Sequence, residues 1–258
     1  MSLGPGTGGI GRGVVLLMRS RAVPPAPRPA PRRGLFITFE GPEGSGKSSQ
    51  SRLLARRLRR SGRLVVRLRD PGSTTLGRAL RRLLLHSREP LSPMAEALLF
   101  IGGRVRLVRE RIRPALAAGR IVVCDRYHDA TVAYQGWGGG VDAAWLDAHG
   151  RRAVGGLMPD LTLLLDLAPE RGFARLGRSR DRIERNTAAF HRRVRRGYLR
   201  IAAREPRRVV TVDATRPRAD VAAAIADAVA ERMPARRGSP AGRRRGRPQR
   251  RGVRNRLG

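Results

Sequence analysis

From Gly34 onward, short apolar runs alternate with longer amphipathic stretches along the chain. The apolar runs predict strands, and the stretches between them carry apolar residues at helical spacing. The predicted strands lie at 35–39, 64–68, 121–124, 161–167 and 209–212. Because helical segments separate successive strands, the pattern predicts an α/β fold with a doubly wound five-stranded parallel sheet flanked by helices.

Leucines at helical spacing predict a helix that includes Leu76 and Leu84. In the next helix, Ser92 and Pro93 form a favourable cap and first turn. Its middle carries Gly102-Gly103, and each glycine costs about 1 kcal/mol relative to alanine. We expect close packing or a ligand beside them, or a kink in the helix. Further helices are predicted at 48–60, at 169–177 and at 217–232. A long basic helix is predicted after Glu184 and ends at about residue 203.

The two ends of the chain differ in composition from its middle. Residues 1–33 are rich in glycine, proline and arginine, and residues 234–258 are rich in arginine. Neither segment contains an acidic residue. Such segments bury too little apolar surface to fold, so we expect a disordered N-terminal extension, a folded domain at 34–233 and a disordered C-terminal tail.

The chain carries 55 lysines and arginines against 20 acidic residues, a formal charge of +35. A charge of this size favours phosphate-bearing ligands or nucleic acid. The single cysteine excludes an internal disulfide and fits a reducing cytoplasm. No apolar run approaches the roughly 20 residues of a membrane span, so we expect no membrane segment.

A phosphate-binding loop follows the first predicted strand. Residues 41–48 read Gly-Pro-Glu-Gly-Ser-Gly-Lys-Ser and match G-x-x-x-x-G-K-[ST] between a strand and a helix. The glycines let backbone N–H groups wrap a phosphate, Lys47 reaches the β- and γ-phosphates, and the Ser48 hydroxyl is a ligand for Mg²⁺. Lys47 is also the only lysine in the chain. The predicted ATP-binding residues are Gly41, Pro42, Glu43, Gly44, Ser45, Gly46, Lys47, Ser48 and Ser49.

A second candidate for binding Mg²⁺ follows the buried strand at 121–124. Asp125 stands at its carboxyl end, the edge at which ligands bind in open α/β sheets. A carboxylate there is a natural partner for the nucleotide's Mg²⁺. The alternative is a structural role, as a helix cap or as the ion-pair partner of Arg126.

Several separated motifs resemble bacterial thymidylate kinase (dTMP kinase) over about residues 35–233. The phosphate loop resembles that of the family, with an acidic third position at Glu43. The other matching motifs, in chain order, are Arg-Asp-Pro-Gly at 69–72, Leu-Leu-Phe with a following arginine at 98–104, Asp-Arg at 125–126, Ala-Tyr-Gln-Gly at 133–136, Pro-Asp-Leu at 159–161 and Asp-Arg-Ile-Glu at 181–184.

The resemblance implies transfer of a phosphoryl group from ATP to dTMP, giving dTDP, and a homodimer. It implies that Phe100 stacks on thymine and that Arg104 hydrogen-bonds the base, with Thr131 at the base edge. Tyr134 would lie near the sugar and disfavour a 2′-hydroxyl. Gln135 would line the same pocket. Arg69 and Arg126 would hold the monophosphate, with Glu43 near the sugar and the acceptor phosphate. Without the motifs, Phe100 could equally be a core residue, and the alternative for Tyr134 is a half-buried structural tyrosine.

The family also implies a flexible lid that supplies an arginine to the transferring phosphoryl group when the phosphate loop has none. Here Gly44 follows Glu43, so the lid must provide it. Arg178 and Arg180 are the favoured candidates for this catalytic role, because Arg182 belongs to the Asp-Arg-Ile-Glu motif. The lid is shorter than usual, and Ser73 replaces a common glycine.

The intact Lys47, Ser48, Asp125 and Arg126 argue against an inactive paralogue used only for binding. Two other functions are alternatives to the kinase. One is a kinase for another nucleoside monophosphate, against which Tyr134 argues. The other is a nucleic-acid-binding ATPase, since arginine-rich ends bind phosphate backbones without sequence preference. No aromatic residue lies in 236–258, so the tail lacks stacking platforms for single strands. The arginine-rich ends are therefore expected to reflect the base composition of the genome or to make a weak polyanion contact.

Overall fold

The computed structural model describes residues 34–86, 90–177 and 180–233. All strands of its sheet run parallel, in the order β2-β3-β1-β4-β5. The strands are β1 (Phe36–Glu40), β2 (Val65–Arg69), β3 (Ile121–Asp125), β4 (Leu161–Asp166) and β5 (Val209–Asp213). The predicted five-stranded, doubly wound α/β fold is therefore confirmed.

Helices cover both faces of the sheet. They are α1 (Lys47–Arg60), α2 (Thr75–His86), α3 (Pro93–Leu107), α4 (Arg113–Ala117), α5 (His128–Thr131), α6 (Ala143–Ala153), α7 (Pro169–Ala174), α8 (Ala188–Arg204) and α9 (Arg218–Ala230). Two π-helical segments, Val108–Ile112 and Val132–Gly138, continue α3 and α5. None of the described helices is long and apolar enough to cross a membrane.

The core lies on both sides of the central strands. Every residue of β1 and β3 is buried, as the near-continuous apolar runs of a parallel sheet require. Leu54 and Leu58 of α1 pack with Ile225 of α9 against one face. On the opposite face, α8 packs closely on the π-helical segment Val132–Gly138. These two layers fix the loops at the carboxyl ends of β1 and β3.

One of the two glycines of α3 serves close packing. A Cβ on Gly103 would lie 2.8 Å from Leu80 Cδ1, whereas Gly102 faces open space. The helix runs from Pro93 to Leu107, and Ser92 caps it by accepting a hydrogen bond from the Ala95 N–H. The close contact between α2 and α3 thus explains one glycine of the pair.

The structure also departs from the predicted elements. The helices between His128 and Ala153 were not among the predicted elements. Glycines at 136 and 138–140 break the helical spacing of apolar residues in the middle of this stretch. The helix predicted at 169–177 ends at Ala174. Residues 1–33 and 234–258, where disorder is predicted, lie outside the described residues.

Candidate active site

The phosphate loop takes the conformation that its glycines permit. Gly41, Gly44 and Gly46 all have positive φ angles, and a Cβ on Gly44 would lie 2.1 Å from the carbonyl oxygen of Gly172. Gly46 caps α1 without a side-chain hydrogen bond, so the first-turn N–H groups of the helix are open to an anion. The loop is therefore a preformed phosphate cradle.

Lys47 folds back onto this loop. Its Nζ donates to the Pro42 carbonyl oxygen at 2.6 Å and to Ser45 Oγ at 3.3 Å. Burial, together with the positive charge of Arg126, lowers the pKa of Lys47 to about 8. A buried ammonium that only a carbonyl and a hydroxyl solvate is suited to exchange them for phosphate oxygens.

Ser48 and Asp125 meet at the carboxyl ends of β1 and β3. The Ser48 hydroxyl donates to Asp125 Oδ2 at 2.5 Å. Arg69 Nη2 lies 2.8 Å from Ser48 Oγ and 3.3 Å from Asp125 Oδ2, and its backbone N–H donates to Ser73 Oγ. Ser73, which replaces the family's glycine, thus holds the Arg69 backbone. The two oxygen donors match the preference of Mg²⁺.

Arg126 pairs with Glu43 and not with Asp125, so the ion pair considered as an alternative for Asp125 is not formed. Its Nη2 donates to Glu43 Oε1 at 2.6 Å and to the Tyr134 hydroxyl at 3.0 Å. Its Nη1 donates to the Tyr198 hydroxyl at 3.1 Å. The backbone of Arg126 is left-handed, with φ of 67°, a conformation that costs about 1 kcal/mol or more in a non-glycine residue.

Glu43 closes a hydrogen-bonded triangle with Arg126 and Tyr134, whose hydroxyl donates to Glu43 Oε1 at 2.7 Å. Burial alone would raise the pKa of Glu43, but the charges of Arg126 and Lys47 together with the Tyr134 hydrogen bond lower it to about 2. Glu43 therefore stays ionised, and it joins the phosphate loop to the residues after β3.

Glu40 holds two neighbours of Arg126, and the sequence analysis did not identify it as a site residue. Its carboxylate accepts hydrogen bonds from the Tyr127 N–H at 2.7 Å and from the Tyr198 hydroxyl at 2.9 Å. Burial, with a contribution from Asp129, raises the pKa of Glu40 to about 7. No sequence pattern pairs Glu40 with Tyr198, because they are 158 positions apart.

A cavity of about 460 Å³ opens beside these groups. It is lined by Lys47, Ser48, Asp125 and Arg126 at one end. The predicted substrate-binding residues Arg69, Phe100, Arg104, Thr131, Tyr134 and Gln135 line it as well. The fold thus brings every predicted substrate-binding residue to one cavity.

Arg104 lines this cavity and is 2% exposed. Its Nε donates to Asp70 Oδ2 at 2.6 Å and its Nη2 to Thr131 Oγ1 at 2.8 Å. Within the described part of the chain, its Nη1 has no hydrogen-bond partner. A buried, unsatisfied donor is costly unless a ligand supplies an acceptor. Arg104 is therefore held ready for a ligand oxygen.

Arg81 also lines the cavity and was missed. Burial, with the positive charges of Arg69 and Arg126 nearby, lowers its pKa. Nothing in the sequence distinguishes Arg81 from its neighbour Arg82, which is exposed. The three guanidinium groups make this part of the cavity strongly attractive to an anion.

The predicted lid residues fall into three places. Arg178 lies outside the described residues. The Arg180 guanidinium stacks over the Phe173 ring at 4.6 Å and is not part of the cavity lining. Arg182 donates to Glu96 Oε1 and to the Leu84 carbonyl oxygen. Its guanidinium group therefore joins the end of the lid to α2 and α3.

Comparisons with known proteins agree with this geometry. The family model for thymidylate kinase matches residues 39–225. A thymidylate kinase from Synechococcus sp. (strain JA-2-3B'a(2-13)) is 49% identical over 200 residues, covering 78% of this chain and 96% of that protein. One from Thermomicrobium roseum is 50% identical over 208 residues, covering 80% and 99%. The crystal structure of thymidylate kinase from Ehrlichia chaffeensis superposes with a TM-score of 0.63 at 32% identity, covering 76% of this chain and 98% of that one. The chain belongs to the thymidylate kinase family.

Proposed function

We propose that this protein transfers the γ-phosphoryl group of ATP to dTMP, giving ADP and dTDP. The observation that carries the proposal is one cavity lined by two different groups of residues. One group, here called the ATP end, is the phosphate loop with Lys47; the other, the dTMP end, includes the buried Arg104, whose Nη1 has no hydrogen-bond partner among the described residues. A donor nucleotide and a base-bearing acceptor therefore meet in one enclosure.

The ATP end binds and orients phosphates. The N–H groups of the loop and of the first turn of α1 hold the β-phosphate, and Lys47 neutralises charge on the transferring group. Ser48 and Asp125 would hold Mg²⁺, which supplies further neutralisation of the phosphates when bound. No cluster of three or more potential metal-ligating side chains occurs among the described residues. One carboxylate and one hydroxyl suffice, because Mg²⁺ completes its shell with phosphates and water.

The dTMP end supplies base, sugar and phosphate contacts. Phe100 offers an aromatic face to thymine, and Arg104 Nη1 donates to a base oxygen. The Tyr134 hydroxyl, fixed by Glu43 at 2.7 Å, restricts the space beside the sugar. Arg69 and Arg126, with Arg81 close by, hold the monophosphate, since guanidinium forks match phosphate oxygens.

The lid supplies the remaining positive charge. Arg180 lies on Phe173 outside the cavity lining, and Arg178 is the other candidate. One of these guanidinium groups would have to move over the phosphates when both substrates are bound. Phosphoryl transfer depends mainly on positioning and charge stabilisation, so one such guanidinium group over the phosphates would complete the site.

A coupled ADP-release assay with ATP, Mg²⁺ and each monophosphate in turn tests the proposal. We expect dTMP to give a clearly higher kcat/KM than dCMP, dGMP or the ribonucleotide UMP. If no monophosphate is phosphorylated while a polynucleotide stimulates ATP hydrolysis, the kinase proposal is wrong. That outcome would favour the nucleic-acid-binding ATPase.

We also propose that the protein is a homodimer joined through α2 and α3. Met94, Leu98 and Val105 lie along one face of α3, and they are 39%, 52% and 38% exposed. Leu76 and Leu83 of α2 are each 39% exposed as well. Gly102 lies between Leu98 and Val105 with open space beside it, which would let a second helix approach closely. Contiguous exposed apolar side chains of this kind are typical of interfaces.

Leu98→Glu is expected to convert the dimer into a monomer, because a carboxylate would be buried without a partner in the interface. Light scattering coupled to size-exclusion chromatography measures the mass. The matched control is Leu64→Glu, since Leu64 is 67% exposed but lies just before β2 and belongs to neither helix. If both variants keep the mass of the wild type, the α2–α3 face is not the interface.

Two further proposals concern the arginine-rich ends and the location of the protein in the cell. The arginine-rich segments 1–33 and 234–258 would contact polyanions without sequence preference, and such binding should weaken steeply with salt. Heparin chromatography of the full chain and of a chain ending at Met233 tests this. A cytoplasmic location follows from the proposed substrates, and cell fractionation tests it.

A further inference from the structure

We propose that Glu96 is a positioning residue that sets the base specificity of the acceptor end, by holding the Gln135 amide in one orientation. This inference rests on the proposed function and adds a determinant that does not itself touch the substrate. The preferred acceptors would be pyrimidine nucleotides with a 4-oxo group, and 4-amino pyrimidines would be rejected.

Glu96 lies in the first turn of α3, and its side chain is 13% exposed. Its Oε1 accepts a hydrogen bond from Arg182 Nη1 at 2.6 Å, and its Oε2 accepts one from Gln135 Nε2 at 2.9 Å. Arg182 is itself fixed, because its Nε and Nη2 both donate to the Leu84 carbonyl oxygen. The carboxylate therefore stands between two donors on different elements.

This contact settles which way the Gln135 amide points. A carboxylate paired with a guanidinium offers only acceptors. Rotating the amide by half a turn would place Gln135 Oε1 against Glu96 Oε2, two acceptors with no proton between them. The NH₂ group of Gln135 is therefore committed to Glu96. Its carbonyl oxygen is the end left for the cavity, which Gln135 lines while being only 2% exposed.

The second fixed group in this end of the cavity is a donor. Arg104 is held by Asp70 and Thr131, and in the part of the chain that the structure describes its Nη1 lacks a partner. The fixed groups of the cavity thus include a donor on Arg104 and an acceptor on Gln135, with Asp70 Oδ1 as a further buried acceptor beside Arg104.

Thymine and cytosine present opposite hydrogen-bonding groups to the Arg104 donor and the Gln135 acceptor. Thymine carries an acceptor oxygen at C4 and a donor at N3, whereas cytosine carries a donor amino group at C4 and an acceptor at N3. The fixed pair is complementary to thymine and opposes cytosine at both positions. If the Gln135 amide could rotate freely, it would offer its NH₂ group to cytosine N3 and half of the discrimination would be lost.

The test compares kcat/KM for dTMP and dCMP in the wild type, in Glu96→Gln and in Arg182→Gln. Glu96→Gln replaces one acceptor oxygen by a donor, so both orientations of Gln135 become possible. We expect the dTMP-to-dCMP ratio of kcat/KM to fall by about tenfold or more, because an unpaired or mismatched buried polar group no longer penalises dCMP. Arg182→Gln removes the ion pair but keeps the Glu96–Gln135 contact, so its ratio should stay that of the wild type even if its turnover falls.

A structural role alone would lower activity towards both acceptors and leave the ratio within twofold, and this result would overturn the proposal. So would an equal fall of the ratio in Arg182→Gln. If Glu96→Gln does not fold, Glu96→Asp withdraws the carboxylate from Gln135 by one methylene group and should lower the ratio likewise. The wild type itself tests the proposed function: failure to phosphorylate dTMP contradicts the kinase, whereas an unchanged ratio in an active kinase contradicts only the role of Glu96.

Discussion

Lys47→Met should lower kcat by about a thousandfold, with little change in the amount of folded protein. In the free protein, Lys47 Nζ is held by the Pro42 carbonyl oxygen and by Ser45 Oγ. When phosphates replace these partners, the ammonium neutralises charge that develops on the transferring group. Losing one such preorganised group costs roughly 10²–10³ in kcat, and here it is also the loop's only charged donor. Single-turnover measurement of phosphoryl transfer from ATP to dTMP checks the value.

The stability of this variant should not fall, and that separates it from an unfolded one. Burial lowers the pKa of Lys47 to about 8. The folded state therefore disfavours the charged form relative to the unfolded chain, and at pH 7 this costs stability. Methionine has a similar length and no charge, so thermal unfolding of Lys47→Met should occur at the same temperature as in the wild type or higher. A large fall in the melting temperature would contradict this reasoning.

Lys47→Arg is the matched control for charge. It keeps a cation at the position, but a planar fork cannot take the place of a compact ammonium inside a closed loop. We therefore expect it to be nearly as inactive as Lys47→Met. Recovery of more than about a tenth of wild-type kcat would show that the site needs only a positive charge there. The chain uses arginine at all other basic positions, so the result also bears on why lysine stands at this one.

The phosphate loop and the sheet could be predicted from the sequence because local chemistry dictates them. A glycine-rich turn between a strand and a helix has few other uses, and the apolar runs of β1 and β3 allow only buried strands. Asp125 followed as the residue at the carboxyl end of such a strand. These predictions depend only on residues that are close in sequence. The structure places the phosphate loop and Asp125 together at one edge of the sheet.

The partners of these residues could not be predicted, because they come from distant parts of the chain. The ion pair of Arg126 with Glu43 joins residues 83 positions apart. Nothing in the sequence favoured Glu43 as the partner of Arg126 over Asp125, the residue that precedes it. Arg81 could not be separated from the many other arginines. The motif match found Gln135, but not Glu96, which fixes it across 39 positions. Sequence patterns thus identified most groups that face the cavity and missed those that hold them.

Arg126→Gly and Arg126→Ala should both lower kcat/KM for dTMP by about 10²–10³, yet differ in stability. Both remove the guanidinium that joins Glu43, Tyr134 and Tyr198 and that we assign to the acceptor phosphate. Losing a charged hydrogen-bond donor to the acceptor phosphate lowers the rate of phosphoryl transfer by about this factor. Kinetics with saturating ATP and varied dTMP measure it, and a variant within tenfold of the wild type would contradict the assignment.

The difference between the two variants comes from the backbone. Arg126 has φ of 67°, and the Tyr127 N–H that follows is held by Glu40 at 2.7 Å, so the conformation cannot relax without breaking a buried hydrogen bond. Alanine keeps the cost of a left-handed backbone, whereas glycine removes it. We expect Arg126→Gly to be more stable than Arg126→Ala by about 1 kcal/mol in urea unfolding. Equal stability would mean that this backbone conformation carries no cost. Equal activity loss beside unequal stability would show that the fold accepts backbone strain at residue 126 in order to place its guanidinium between the phosphate loop and the acceptor.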